Sequence, residues 1–288
     1  VNHSQDIWPG AILGGRWSLT RLLGQGDVKD VYAAQATDSG ERLAIGVLHR
    51  ELASEQGVAK KFHATVEAWR RLKHPSLIEL RESGETPEGI PWLGMEMVEG
   101  EPLSLQVEQG VALRPALAVA VIRGVLQGLQ AEHRAGVVHR CLDLSCIFLH
   151  QPPGGEPTVK LSDVGLHLAF LKKRFDLRKA GGGMAQAPAL PRYTSPSFLR
   201  NESTIDPRDD LWSVGAIFFE LLSGRDPYEA SSEFARMTAK FQQEPPAVDR
   251  DAPELALFQP FLARTLVPAR AQGWQTAEEM LGALDALA

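Results

Sequence analysis

The sequence predicts an α+β chain of two lobes, a β-rich N-terminal lobe holding a single helix and a mainly helical C-terminal lobe. Three observations predict it. Short strand-like runs separated by turn signals fill residues 17–97, helical periodicity takes over after about residue 100, and no internal repeat divides the chain.

Taken in order, the first five residues (Val1, Asn2, His3, Ser4, Gln5) show neither a basic region nor an apolar run, so they are not read as a signal peptide. A processed product or a piece of a longer protein is expected, with 1–15 as an N-terminal extension and 16–288 as one domain, its lobes dividing at 16–97 and 98–288. Strands are expected at Trp17 to Thr20, Val31 to Ala34 and Leu43 to Leu48, with Asp38-Ser39-Gly40 as a turn between two of them. Val58, Phe62, Thr65, Trp69 and Leu72 recur at three- and four-residue spacing, which makes one apolar helix face. Leu117 to His133, Asp210 to Leu222 and Thr276 to Leu287 read as helices between Pro- and Gly-rich loops. The stretch from Lys172 to Pro191, with five basic residues followed by Gly181-Gly182-Gly183, reads as a solvated surface loop.

Composition narrows the class. With 288 residues, 44% of them hydrophobic, and a net charge of −6, the chain is globular and shows no basic surplus for nucleic acid. The two cysteines, Cys141 and Cys146, cannot build a disulfide framework, which points to a reducing, cytoplasmic setting. The most apolar run, Ala116 to Leu129, is interrupted by Arg123 and Gln127, so no membrane span is expected; a tether outside this segment is left open.

Leu23-Gly24-Gln25-Gly26, continuing through Lys29 to Val31-Tyr32, is a two-glycine turn between strands, which lets backbone amides approach a phosphate. Behind it follow Ala44-Ile45-Gly46, His74-Pro75, Met95 to Gly100, His139-Arg140-Cys141-Leu142, Asp163-Val164-Gly165, Ser195-Pro196-Ser197, Asp210 to Gly215 and Pro268-Ala269-Arg270. In order and spacing, over nearly the whole chain, this series resembles the eukaryotic-type Ser/Thr protein kinases, including their bacterial members. The resemblance implies the bilobal protein-kinase-like fold, a hinge near residues 96–100, and nucleotide contacts, if any, from Gly24, Gly26, Val31, Ala44, Glu96, Val98 and Phe148.

Several charged groups on which phosphoryl transfer depends in that family are replaced. The strand lysine falls on Gly46 and its helix glutamate on Thr65, while Glu67 lies about 200° around the helix from Thr65. The catalytic aspartate is Cys141, the following lysine is Asp143, and the metal-binding asparagine is Cys146, a soft ligand ill suited to Mg²⁺. Asp163 keeps the place of the family's metal-binding aspartate. Ser197 replaces the glutamate that would pair with Arg270, so Arg270 is expected to be partly solvated or to use another carboxylate.

On this reading the expected function is a catalytically inactive kinase-fold scaffold in signalling, not an enzyme, with no cofactor expected. Its expected partners are proteins: an active kinase, or a phosphopeptide-binding domain recruited through 165–197 after phosphorylation of Thr194 or Ser195. The alternative is a weak ATP-binding kinase or nucleotide sensor, in which Lys29, placed as in the with-no-lysine kinases, replaces the strand lysine and acts with Asp163 and Mg²⁺. Against it stands a plain solvated lysine on an exposed hairpin. A zinc or thiol-chemistry role for Cys141 and Cys146 is disfavoured, because their spacing matches no strong zinc motif.

Overall fold

The computed structural model describes residues 9–26, 28–107, 111–150, 154, 157–163, 192–200, 205–242, 244, 247–248 and 252–287. Asp27, Val164, Gly165 and the basic, glycine-rich stretch up to Pro191 lie outside them. The chain divides into two compact units, one running to His74 and including Ile78–Glu99, the other holding Pro75–Leu77 and the chain from Gly100.

The first unit is an antiparallel sheet of six strands with one long helix. Strands β1 (Ile12–Leu13), β2 (Trp17–Gln25), β3 (Lys29–Ala36), β4 (Arg42–Leu48), β5 (Leu80–Glu85) and β6 (Pro91–Glu96) lie in the order β1-β2-β3-β4-β6-β5. After a short helix α1 (Arg50–Ala53), helix α2 (Val58–Arg70) packs on β5 and β6 through Val58, Phe62, Val66 and Trp69, and the Trp69 indole donates to the Ile78 carbonyl at 2.9 Å. One detail of the expected apolar face is corrected. Val66, not Thr65, completes it, because the buried spacing runs 58, 62, 66, 69 and leaves Thr65 on the flank.

The second unit is helical apart from a hairpin. It contains α3 (Ser104–Val107), α4 (Pro115–Arg134), the hairpin β7 (Ile147–His150) and β8 (Thr158–Leu161), then α5 (Pro196–Leu199), α6 (Arg208–Ser223), α7 (Glu233–Gln242), α8 (Gln259–Thr265) and α9 (Ala277–Asp285). Pro115 opens α4, where its missing N–H has no helical partner to lose. Helix α4 is the hub, packed by α6, α9 and β8. Its approach to β8 requires glycine: a Cβ on Gly124 would stand 2.5 Å from the Cβ of Val159, and one on Gly128 would stand 2.8 Å from Leu161. Helix α6 is buried nearly throughout, with Phe218 edge-on to Phe258 and Phe261 at centroid distances of 5.4 and 5.7 Å. Among the described residues no helix is long and apolar enough to cross a membrane.

Candidate nucleotide site

In the first unit the strand register decides which side chains share a face. Lys29 pairs with Leu48, Val31 with Gly46 and Ala33 with Ala44, while Gly46 pairs in turn with Leu93 and Ala44 with Met95. Directly opposed residues project to the same side and alternate residues along a strand do too, so Lys29, Val31, Ala44, Gly46 and Leu93 form one surface. On that surface the Lys29 stem lies over Gly46. Its Cδ and Cε are 2.9 and 3.3 Å from where a Gly46 Cβ would stand. Lys29 is only 9% exposed, which corrects the picture of a solvated hairpin lysine. The Lys29 stem takes the room that a side chain at Gly46 would need.

A second buried pair fixes this arrangement. Asp30 follows Lys29 and so projects to the opposite face, where it is 1% exposed and lies 3.2 Å from His49 Nε2. His49 itself is tied to the start of β3 by its backbone N–H on the Val28 carbonyl. A slip of one residue would bring Lys29 to the His49 face and turn Asp30 inward, so the Asp30–His49 contact guards the register. Sequence reasoning missed both residues; the available signal was an acidic residue beside a lysine in an otherwise apolar strand.

A Cβ on Gly24 would meet nothing within 4 Å, whereas one on Gly26 would press at 3.1 Å on the Lys29 carbonyl, to which the Gly26 N–H already donates. Val31 and Ala44 supply apolar wall on the same face. The Glu96 carboxylate accepts from the Glu79 N–H at 2.9 Å, and Val98 is half-buried. Thr65 and Glu67 bring no carboxylate to this face: Glu67 is exposed and sits near Arg70 on its own helix.

In the second unit Asp210, 1% exposed at the start of α6, organises the loop that carries Cys141. It accepts from the backbone N–H of His139 at 2.9 Å, that of Arg140 at 2.6 Å and the His133 Nε2 at 2.9 Å. His139, wholly buried, bonds the Ser162 carbonyl through Nε2 at 3.0 Å, and burial lowers its pKa against the pull of Asp210. Arg140 and Asp163 adopt φ of 67° and 65°, a left-handed conformation that costs a non-glycine residue about 1–3 kcal/mol. Such strain persists where surrounding contacts over-determine it, and Asp210 provides them for Arg140.

The two cysteines of this loop have different surroundings. Both are buried, and neither is in a disulfide. Cys146 Sγ donates to the Asp143 carbonyl at 2.9 Å and accepts from the Asp143 N–H at 3.3 Å, and burial drives its thiol well above the usual range. It is spoken for as a capping group. Asp143 is likewise a cap, its carboxylate accepting from the Ser145 N–H at 2.9 Å. Among the described residues no group of three or more His, Cys, Asp or Glu is arranged to hold a metal. An Mg²⁺ ion arriving on a nucleotide would find the hard carboxylate of Asp163, whereas the soft Cys146 thiol does not suit a second one. Phe148, on β7, is half-buried.

Arg270 has found the substitute carboxylate expected of it. Its Nη2 and Nε lie 2.6 and 3.1 Å from Asp209, the residue before Asp210 on α6, and Ser195 Oγ donates to the same carboxylate at 2.7 Å. Ser195 also caps α5 by accepting from the Phe198 N–H, and both Ser195 and Ser197 are 3% exposed. That corrects the expectation of a phosphorylation site at Ser195: its hydroxyl is sealed and doubly bonded. Thr194 is half-buried, and 165–191 lie outside the described residues.

Glu132 on α4 is a buried acid that the sequence reading passed over. It is wholly buried with no hydrogen bond to either carboxylate oxygen, and burial, then the charge of Asp210, raises its pKa well above the ordinary value. The folded state thus holds this proton to a higher pH than the unfolded chain, so stability contributed at acid pH is lost as pH rises above the unfolded value near 4.5. Glu132→Gln is expected to melt like the parent near pH 4 and increasingly above it toward pH 8, by at most about 1.4 kcal/mol per pH unit. Parallel melting curves at all pH values count against this.

The first unit thus holds a two-glycine turn and a buried lysine on the adjoining sheet face, and the second an aspartate in left-handed conformation and the loop anchored by Asp210. Comparison gives the family. Residues 17–260 match the protein kinase domain, and the chain belongs to that family. It is 30% identical over 275 residues to a probable serine/threonine-protein kinase of Streptomyces coelicolor, covering 93% of this chain and 39% of that one. It is 32% identical over 250 residues to the serine/threonine-protein kinase Pkn1 of Myxococcus xanthus, covering 85% and 34%. The chain thus spans about a third to two fifths of the length of these curated relatives. Its fold is that of the Mycobacterium tuberculosis PknI kinase domain, with a TM-score of 0.75 and 22% identity over 99% of this chain and 100% of that one.

These findings correct the expectation of an inactive scaffold that is no enzyme. The relatives matching most of the chain are named as serine/threonine-protein kinases, and the family implies ATP and Mg²⁺.

Proposed function

We propose that the chain is a protein kinase domain that binds MgATP and phosphorylates serine or threonine hydroxyls, with Lys29 as the phosphate-holding cation. The observation that carries this reading is the burial of the Lys29 stem against Gly46. In this role Lys29 holds α- and β-phosphate oxygens by charge-assisted hydrogen bonds, worth about 1.5–3 kcal/mol each. In this role the Gly24–Gly26 turn lies over the phosphates, Val31 and Ala44 form the apolar wall for the base, and the backbone at Glu96 and Val98 meets its polar edge. Asp163 is the Mg²⁺ ligand. When bound, MgATP supplies the transferable phosphoryl group and part of the charge neutralisation.

Cys141 stands where the family places its general base, and a general base contributes about 10²- to 10⁴-fold to rate. The proposed kinase is slow by that factor, with positioning by Lys29, the glycine turn and Asp163 left to carry the reaction. In the same reading 1–15 form an extension and 16–288 the kinase domain, and the protein partners act as substrates or upstream enzymes.

The test is incorporation of label from γ-labelled ATP into casein and into the chain itself over hours with Mg²⁺. Label on serine or threonine that is absent with Asp163→Ala supports the reading. Incorporation no higher than that of Asp163→Ala overturns it.

A further inference from the structure

The loop that carries Cys141 also carries an acid to which the nucleotide reading gives no task. Asp143 lies two residues beyond Cys141, is half-buried, and opens the short turn Leu144–Cys146 in extended backbone, with φ −146° and ψ 158°. Both its side chain and its backbone are held. Its Oδ1 accepts from the Ser145 N–H at 2.9 Å, its own N–H donates to Cys146 Sγ at 3.3 Å, and its carbonyl accepts from that thiol at 2.9 Å. The cap takes up only part of what a carboxylate can accept, since two oxygens offer about four lone-pair sites.

The surroundings of Asp143 join two parts of the second unit. Burial first raises the Cys146 thiol, its backbone bond to Asp143 opposes this, and the charges of Asp143 and Asp163 then add to it. The same carboxylate reaches the chain before α5. There burial first, then the charges of Glu220 and Asp143, raise the Tyr193 hydroxyl far above its usual range, with Arg192 opposing them. Asp143 therefore neighbours both the thiol that the charge of Asp163 reaches and the segment at Tyr193. Cys141 offers no comparable acceptor, because a carboxylate takes a hydroxyl proton as the bond to phosphorus forms and a neutral thiol does not.

We propose that Asp143 is the base of the phosphoryl transfer, taking the proton that Cys141 is unsuited to take. The inference rests on the kinase reading above and adds to it the group that moves the proton. The serine or threonine oxygen bonds to the γ-phosphorus with the electron pair of its O–H bond, and the proton passes to the Asp143 carboxylate. The bond from that phosphorus to the bridging oxygen breaks, and its electron pair leaves with ADP. Solvent then takes the proton from Asp143, so that hydroxyl and ATP give phosphoester, ADP and one proton. A carboxylate already fixed by a cap needs no reordering to act, and it recovers part of the rate that Cys141 forgoes.

The test begins with Asp143→Asn, because asparagine caps a turn as well as aspartate does and takes up no proton. Incorporation of label from γ-labelled ATP into casein at saturating MgATP is expected to fall at least tenfold. The melting temperature and its shift with MgATP are expected to stay at the parent's. Asp143→Ser, which also caps, is expected to fall as far, and Asp143→Glu, which restores a carboxylate, to exceed both at least threefold. Asparagine and serine variants within threefold of the parent, a glutamate variant no faster than they are, or a fall in rate matched by a fall in the MgATP shift overturns the proposal and leaves the kinase reading standing. A parent that incorporates no more label than Asp163→Ala overturns both.

Discussion

Lys29→Met is expected to abolish most of the thermal stabilisation that millimolar MgATP gives the chain. A ligand at a hundred times its Kd stabilises by about 2.7 kcal/mol, and losing one charge-assisted phosphate contact of about 2 kcal/mol weakens binding roughly 30-fold, which leaves about 0.9 kcal/mol, a third of that shift. In the apo protein the methionine stem still covers Gly46. The informative companion is Gly46→Lys in the Lys29→Met background, which moves the cation from β3 to β4 on the same sheet face. Restored MgATP response in the double variant, against the reduced one in Lys29→Met, demonstrates that one surface accepts its charge from either strand. In the parent background Gly46→Lys is expected to weaken binding, since its Cβ would stand 2.9 Å from the Lys29 Cδ and the two stems compete. An undiminished MgATP shift in Lys29→Met removes Lys29 from the site.

Asp210→Ala carries the second large effect, on stability. It leaves the N–H groups of His139 and Arg140 and the His133 ring without the acceptor they share in a nearly dry position. Breaking a buried network of this kind costs about 3–5 kcal/mol. Arg140, at φ 67°, also loses the contact that holds its strained backbone, so amide exchange at 139–140 is expected to accelerate beyond the global loss. Urea unfolding and hydrogen exchange read both effects. A midpoint shift equivalent to less than about 1 kcal/mol, with protected amides at these two residues, disproves the role given to Asp210.

The same residues show how far reading the chain can go. Strand runs at 17–20, 31–34 and 43–48 lie within β2, β3 and β4, and the helix starting at Val58 is present, because period-two and period-3.6 patterns are local properties of the chain. The loss of lysine at Gly46 was equally legible. Lys29 as a candidate replacement was legible too, but not its burial: its stem lies over Gly46 because the β3–β4 register, guarded by Asp30 and His49, sets which side each residue takes. The motif count that led to an inactive scaffold is overturned by the relatives, which are named as serine/threonine-protein kinases.

Arg270 marks the same boundary from the other side. That an arginine facing Ser197 needs another carboxylate follows from the cost of an unpaired buried charge, and the sequence alone supports it. That the carboxylate is Asp209, shared with Ser195, depends on the pitch and placement of α6. Glu132 was invisible for a related reason, as it is defined by burial that no local pattern reports. By itself, then, the sequence determined the two-lobed α+β architecture, the order of its elements and which motif charges are missing, all of which follow from spacing along one chain. Only the tertiary structure decided which charges replace them, because electrostatic neighbours are set by distance in space and by the exclusion of water.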